Sequence, residues 1–163
     1  MKNISFGDTP VSRCVYYRLV CGLATNIDPP GSERIIFLAG STGALTMPGS
    51  LGSVLRTYMH RYGVAVGPIV AHVGSNRWSF LVRPDIPEDD TRLFSDMFGL
   101  NVLIVREGAI ALPSPTTAPG AASRRWIEPP HNSFRPSGNA VVEAIRWCTG
   151  IKRDTPSLAV HRG

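Results

Sequence analysis

Long apolar runs are missing from this chain: no stretch approaches the about 18 consecutive apolar residues that a membrane-spanning helix needs, so no membrane role is expected. Cysteine is scarce as well. Cys14, Cys21 and Cys148 are odd in number and form no CxxC pair, so neither a disulfide framework nor a zinc knuckle is signalled, and no metal or cofactor is expected. The opening MKNISFGDTP has no apolar run behind it of the kind a secretion signal uses, and a reducing cytoplasm is the expected compartment. Carboxylates are nearly absent from the strand-like segments, where Glu107 sits at a turn and Glu128 precedes a diproline. Two-metal hydrolysis or nucleotidyl transfer needs two or three converging acids, and no such set is visible. The one dense acidic cluster, Glu88-Asp89-Asp90, precedes a helical segment, where acids serve to satisfy free N–H groups. Neither GxSxG, a Walker loop nor GxGxxG occurs, although the glycines of GSTGALTMPGSLGS could cradle an anion ahead of a helix.

What is present is a chain of 163 residues, 43% hydrophobic and 18% charged, with a formal charge of +5. That length suits one domain with a core of its own. The basic excess permits attraction to polyanions without requiring it.

The organisation reads as an amino-terminal segment, 1–33, then a domain over 34–150 and a tail over 151–163 that is expected to fray. The first segment suggests a short strand or helix docked on the body. RIIFLAG (34–40) reads as a buried strand closed by glycine, and the next segment as a helix over 49–62 with Thr46 or Ser50 as cap and Gly63 as stop. GPIVAHV and RWSFLVRP flank the turn GSN as a hairpin. In its second strand Trp78, Phe80 and Val82 face one way, and Arg77, Ser79, Leu81 and Arg83 the other. A short helix capped by Asp89 or Asp90 follows. NVLIVREGAIALP then reads as a second hairpin around Glu107-Gly108, RRWIEP as a further strand, and SGNAVVEAIRWCTG as a helix between Ser137 and Gly150. The expected fold is α+β, one mixed β-sheet with helices packed on it.

Arg77, Arg83, Arg124 and Arg125 with Trp126 (and Trp78) form the best binding surface in the sequence. Guanidinium groups grip phosphates, and tryptophan either stacks on a base or packs in a core. If the two strands were sheet neighbours, the arginines would share one face and the tryptophans the other. His72, on a strand just before a turn, has no acid or cysteine close in sequence and is otherwise a half-exposed structural residue.

Three segments carry a family resemblance: GPIVAHVGSNRWSFLVRPDIP, NVLIVREGAIALPSP and RRWIEPP. Together they resemble the amino-terminal domain of bifunctional DNA primase-polymerases of the archaeo-eukaryotic primase superfamily, especially short actinobacterial relatives of that domain, over about residues 34–150. The resemblance implies a primase-polymerase-like fold with an RRM-like core, and a nucleic-acid or nucleotide ancestry. The family's activity rests on an acid-x-acid pair, a serine-x-histidine motif and a later acid. Here RIIFLAG has no acid, VGSNRW has no histidine after its serine, and NVLIVRE has an acid only at its end, leaving His72 and Glu107 as remnants.

The reading is therefore a non-catalytic domain that binds nucleic acid or nucleotide in an accessory or regulatory role. Two alternatives stand beside it. One is a protein-interaction module, with a protein partner or a homodimer, using Trp78, Trp126 or the helix 49–62. The other is an enzyme of unrecognised chemistry centred on His72, which needs Glu107 or Asp85 beside it.

Overall fold

Strand alternation decides the architecture of this protein, because the central strands bury both of their faces. The computed structural model describes residues 4–115 and 124–151; most of the serine- and proline-rich loop and the expected frayed tail fall outside them. In chain order the elements are α1 (Pro10–Leu19), β1 (Thr25–Ile27), β2 (Ile35–Ala39), β3 (Gly43–Pro48), α2 (Gly49–Arg61), β4 (Ile69–His72), β5 (Arg77–Val82), α3 (Thr91–Gly99), β6 (Leu103–Val105), β7 (Gly108–Leu112), β8 (Arg124–Glu128) and α4 (Gly138–Thr149).

The class is α+β, as expected, but there are two sheets rather than one. One sheet has five strands in the order β6-β3-β5-β4-β8, the other three in the order β1-β2-β7. Every ladder in both is antiparallel, so the expected mixed sheet is corrected. One face of the five-stranded sheet sends Leu45, Met47, Ile69, Phe80 and Val82 into a core with Leu55 and Met59 of α2, Leu93 and Met97 of α3 and Val141, Val142 and Ile145 of α4. From the opposite face Ala44, Val70 and Leu81 enter a second core with Cys14 and Tyr17 of α1, Ile35 and Phe37 of β2, and Ile110 and Leu112 of β7. The amino-terminal segment thus contributes a helix to the second core and, through β1, a strand to the smaller sheet. Each fully buried large side chain contributes about 1.5–3 kcal/mol.

Local signals set several boundaries. Ser137 accepts from the Ala140 N–H to start α4, and Gly150 at φ 73° ends it. Asp90 accepts from the Leu93 N–H to start α3. The β4–β5 hairpin turns through Val73–Ser75 and Asn76, whose φ of 53° is the left-handed conformation asparagine tolerates.

Two readings of the sequence are corrected here. Residues 43–48, taken as the approach to a helix, form the strand β3 between β5 and β6. The Gly49 N–H donates to the Asn76 carbonyl, and a Cβ at Gly52 would come within 2.8 Å of the Trp78 ring, so these glycines bring α2 down onto β5 and do not open an anion cradle. The second is the hairpin around Glu107-Gly108. β6 pairs with β3 and β7 pairs with β2, so the chain changes sheet at that turn.

Candidate functional site

Register places the candidate residues. On the face opposite α2, α3 and α4, one row across the five-stranded sheet runs Leu103, Thr46, Ser79, Val70 and Trp126. The next row runs Pro48, Arg77, His72 and Arg124. His72 therefore lies between two arginines on its neighbouring strands, at the cross-strand spacing of about 5 Å.

The side chains in these rows are linked. His72 Nε2 lies 2.8 Å from Ser79 Oγ, and Ser79 Oγ lies 3.0 Å from Thr46 Oγ1, giving a chain of hydroxyls that ends on the imidazole. Arg77 Nη2 donates to the carbonyls of Thr46 and Asn101, both at 2.9 Å, which uses two of the five guanidinium N–H groups. Burial, then the charges of Arg124 and Arg77, hold His72 below the ordinary histidine value, so it is neutral at neutral pH. Burial and the charge of Arg34 act in the same direction on Arg124; arginine stays protonated regardless, and the direction marks a place crowded with positive charge.

No family model, curated protein or solved structure matches this chain.

Physical chemistry alone must then say what this face can do. A serine hydroxyl 2.8 Å from an imidazole has the separation of a nucleophile and its base. Ser79 is only 1% exposed, however, and it is already engaged by Thr46. Among the described residues no carboxylate hydrogen-bonds to His72, and no three His, Cys, Asp or Glu side chains stand together. What the row offers instead is N–H donors and positive charge, the chemistry of an anion receptor.

The other candidates lie elsewhere. Glu107 follows β6, three strands from β4 and beyond the Gly43 end of β3, whereas His72 lies at the Pro48 end. Three strand spacings alone are about 14 Å, so the proposed pair is not brought together. Asp85 is also remote from His72: it follows β5 at the far end, accepts from the Asn139 N–H at 3.1 Å and sits 3.8 Å from Arg83. Arg83 itself, exposed, is about 20 Å along the strand from Arg77 at the usual rise. Arg125 pairs with Ala71, which alternation assigns to the helix-covered face, so it leaves the row that holds Arg124.

The tryptophans are corrected together. β4 lies between β5 and β8, and alternation sends Trp78 toward α2 while Trp126 shares the face of Arg124. Trp126 is half-buried there and packed against Tyr17. Its Nε1–H donates to the Tyr17 hydroxyl at 2.9 Å, the Tyr17 hydroxyl donates to the Pro113 carbonyl at 2.7 Å, and the two rings meet edge to face with centroids 5.7 Å apart.

Sequence reasoning passed over Thr46, Ser79 and Arg34. Ser79 was assigned to the arginine face of its strand, but its contact with His72 crosses a hairpin and depends on register. Thr46 lay in a segment read as a helix cap, and Arg34 acts from the other sheet.

Proposed function

We propose that this protein is a non-catalytic binding domain that holds the phosphates of nucleic acid or a nucleotide across the row Arg77, His72 and Arg124, in an accessory or regulatory role. The observation that carries the reading is that row: two arginines flank one neutral histidine in register on a single sheet face. Guanidinium groups match phosphate geometry, and a neutral imidazole can take up a proton as an anion arrives. The primase-polymerase-like character read from RRWIEPP and its companion segments is part of this proposal. It is supported by the strand order β6-β3-β5-β4 with helices on one face, and the two rows described on the other face carry Thr46, Ser79, His72 and arginines, with no carboxylate among their paired residues.

Titration of a fluorescent single-stranded oligothymidylate by anisotropy at two salt concentrations tests it. Binding should weaken with salt, and Arg77→Ala and Arg124→Ala should each lower the salt slope by about 1, while Arg83→Ala and Arg125→Ala leave it unchanged. Binding that is absent, or indifferent to salt, rejects the proposal.

A second reading, a protein-interaction module, draws on different residues from those first expected. Trp78 and Trp126 are packed, whereas Phe98 on α3 and Trp147 on α4 are 79% and 73% exposed. Light scattering of wild type and a Phe98→Ser/Trp147→Ser double variant discriminates: a dimer that dissociates in the variant favours this reading.

A further inference from the structure

We infer that the sheet face recognises phosphate alone and is blind to the base, so its ligand class is the phosphodiester or polyphosphate chain as such. This rests on the phosphate-binding reading above and adds what the site does not contact. Proteins that hold single strands through their bases offer aromatic rings on which the bases stack. The sequence left Trp126 open to that part or to core packing, and the fold packs it against Tyr17.

The placement of the aromatic residues makes the case. The chain has 6 phenylalanines, 4 tyrosines and 3 tryptophans, and none falls within residues 1–3, 116–123 or 152–163, so all belong to described segments. Those of α2, α3 and α4, and Tyr62 at the end of α2, are on helices that cover the opposite face of the sheet. Trp78 lies against Gly52 of α2 on that side, and Phe80 and Phe37 are buried in the two cores. Phe134 follows β8 and borders the grooves formed with residues 64–68, beyond the opposite end of β4 from His72.

Four rings remain on the side of the second core: Phe6, Tyr16, Tyr17 and Trp126. They pack on one another, with Phe6 against Tyr16 at 5.1 Å, Phe6 against Tyr17 at 6.4 Å and Tyr17 against Trp126 at 5.7 Å. The Phe6 face is capped by the Arg13 guanidinium at 3.5 Å, and the Trp126 N–H is held by Tyr17. The row beside His72 runs Leu103, Thr46, the buried Ser79 and Val70, and Trp126, and its one ring is turned edge to face onto Tyr17. Phosphates meet donors on this face, and its flat polar groups are already oriented by the protein: the His72 imidazole by the Ser79 hydroxyl and the Arg77 guanidinium by the carbonyls of Thr46 and Asn101.

Competition separates phosphate binding from base contact. Labelled oligothymidylate bound to the full chain is displaced by unlabelled oligothymidylate, by an abasic strand of equal length and by inorganic polyphosphate of matched charge. Equal displacement by all three, within about twofold, is the expected result. An abasic strand weaker by the factor of about five or more that one stacked base contributes overturns the inference and leaves phosphate binding intact. Failure of the oligothymidylate itself to bind overturns both. A Trp126→Phe variant supplies a second check, since it keeps a ring in the core. Its affinity for oligothymidylate should equal that of wild type, and a loss that the abasic strand does not share would restore the indole as a base contact.

Discussion

The two faces of the five-stranded sheet are built from the same strands, one residue apart, yet they differ in kind. Leu45, Met47, Ile69 and Phe80 are sealed under three helices, while Thr46, Ser79 and His72 alternate with them toward the other side. The second face is itself divided. At the Gly43 end it carries Ala44 and Leu81 beneath the smaller sheet, and toward the Pro48 end it turns to hydroxyls, an imidazole and arginines. Where a second layer covers the strand the residues are apolar; where the row of cations runs they are donors. The polar end is thus one stretch of a largely buried sheet that keeps groups a core has no use for.

The sharpest way to break this contrast is to truncate neighbours that face opposite ways. Leu45→Ala should cost about 2–5 kcal/mol of unfolding free energy, because a fully buried side chain leaves a cavity. Thr46→Val keeps the shape and removes a hydroxyl from a chain in which Ser79 retains His72, so at most about 1 kcal/mol is expected. Urea unfolding measures both. Equal losses would mean that the polar end is packed as tightly as the core and is no open surface.

Next in size is Gly52→Ala. An added Cβ would meet Trp78 Cε3 at 2.8 Å and Cβ at 3.0 Å, so α2 must lift from β5 or the indole must turn. Helix propensity favours alanine by about 1 kcal/mol, but overpacking at this contact should outweigh it and leave a net loss of about 1–3 kcal/mol. A gain in stability would show that the helix-covered face is less closely packed than the contact indicates. Oligothymidylate binding should not change, because the substitution lies on the other face.

How much of this was legible depended on how far apart the deciding residues were. The boundaries of α3 and α4 and the β4–β5 hairpin rest on caps and a turn within a few residues, and the sequence named each. β3 was missed because Gly43–Pro48 carries a glycine and a proline and lacks the β-branched run of β2. It is a strand because β5 and β6 pair with it on either side. The pattern around Glu107-Gly108 matched a hairpin, but Ile110 and Leu112 are taken by the second core while β6 stays with β3, and only tertiary competition decides that. The four arginines were grouped as one surface, and the register divides them. Alternation separates Arg124 from Arg125, but which of them joins Arg77 depends on β4 lying between β5 and β8.

The smallest expected effect reads the polar end directly, through pH. His72 is held below the ordinary histidine value by burial and by Arg124 and Arg77, so in the window between its folded value and the ordinary one the unfolded chain binds a proton that the folded chain refuses. Stability therefore falls as pH is lowered through that window and is constant on either side of it as far as this group is concerned. His72→Gln, which can still hydrogen-bond to Ser79, should remove a slope of at most about 1.4 kcal/mol per pH unit, seen as the difference between the two proteins' urea curves. Anion binding has the opposite sign. A phosphate between Arg77 and Arg124 offsets the charges that oppose protonation, so affinity for oligothymidylate should rise as pH falls through the same window in wild type and stay flat in His72→Gln. A wild-type affinity that ignores pH there would separate His72 from the anion and leave the two arginines as the whole of the site.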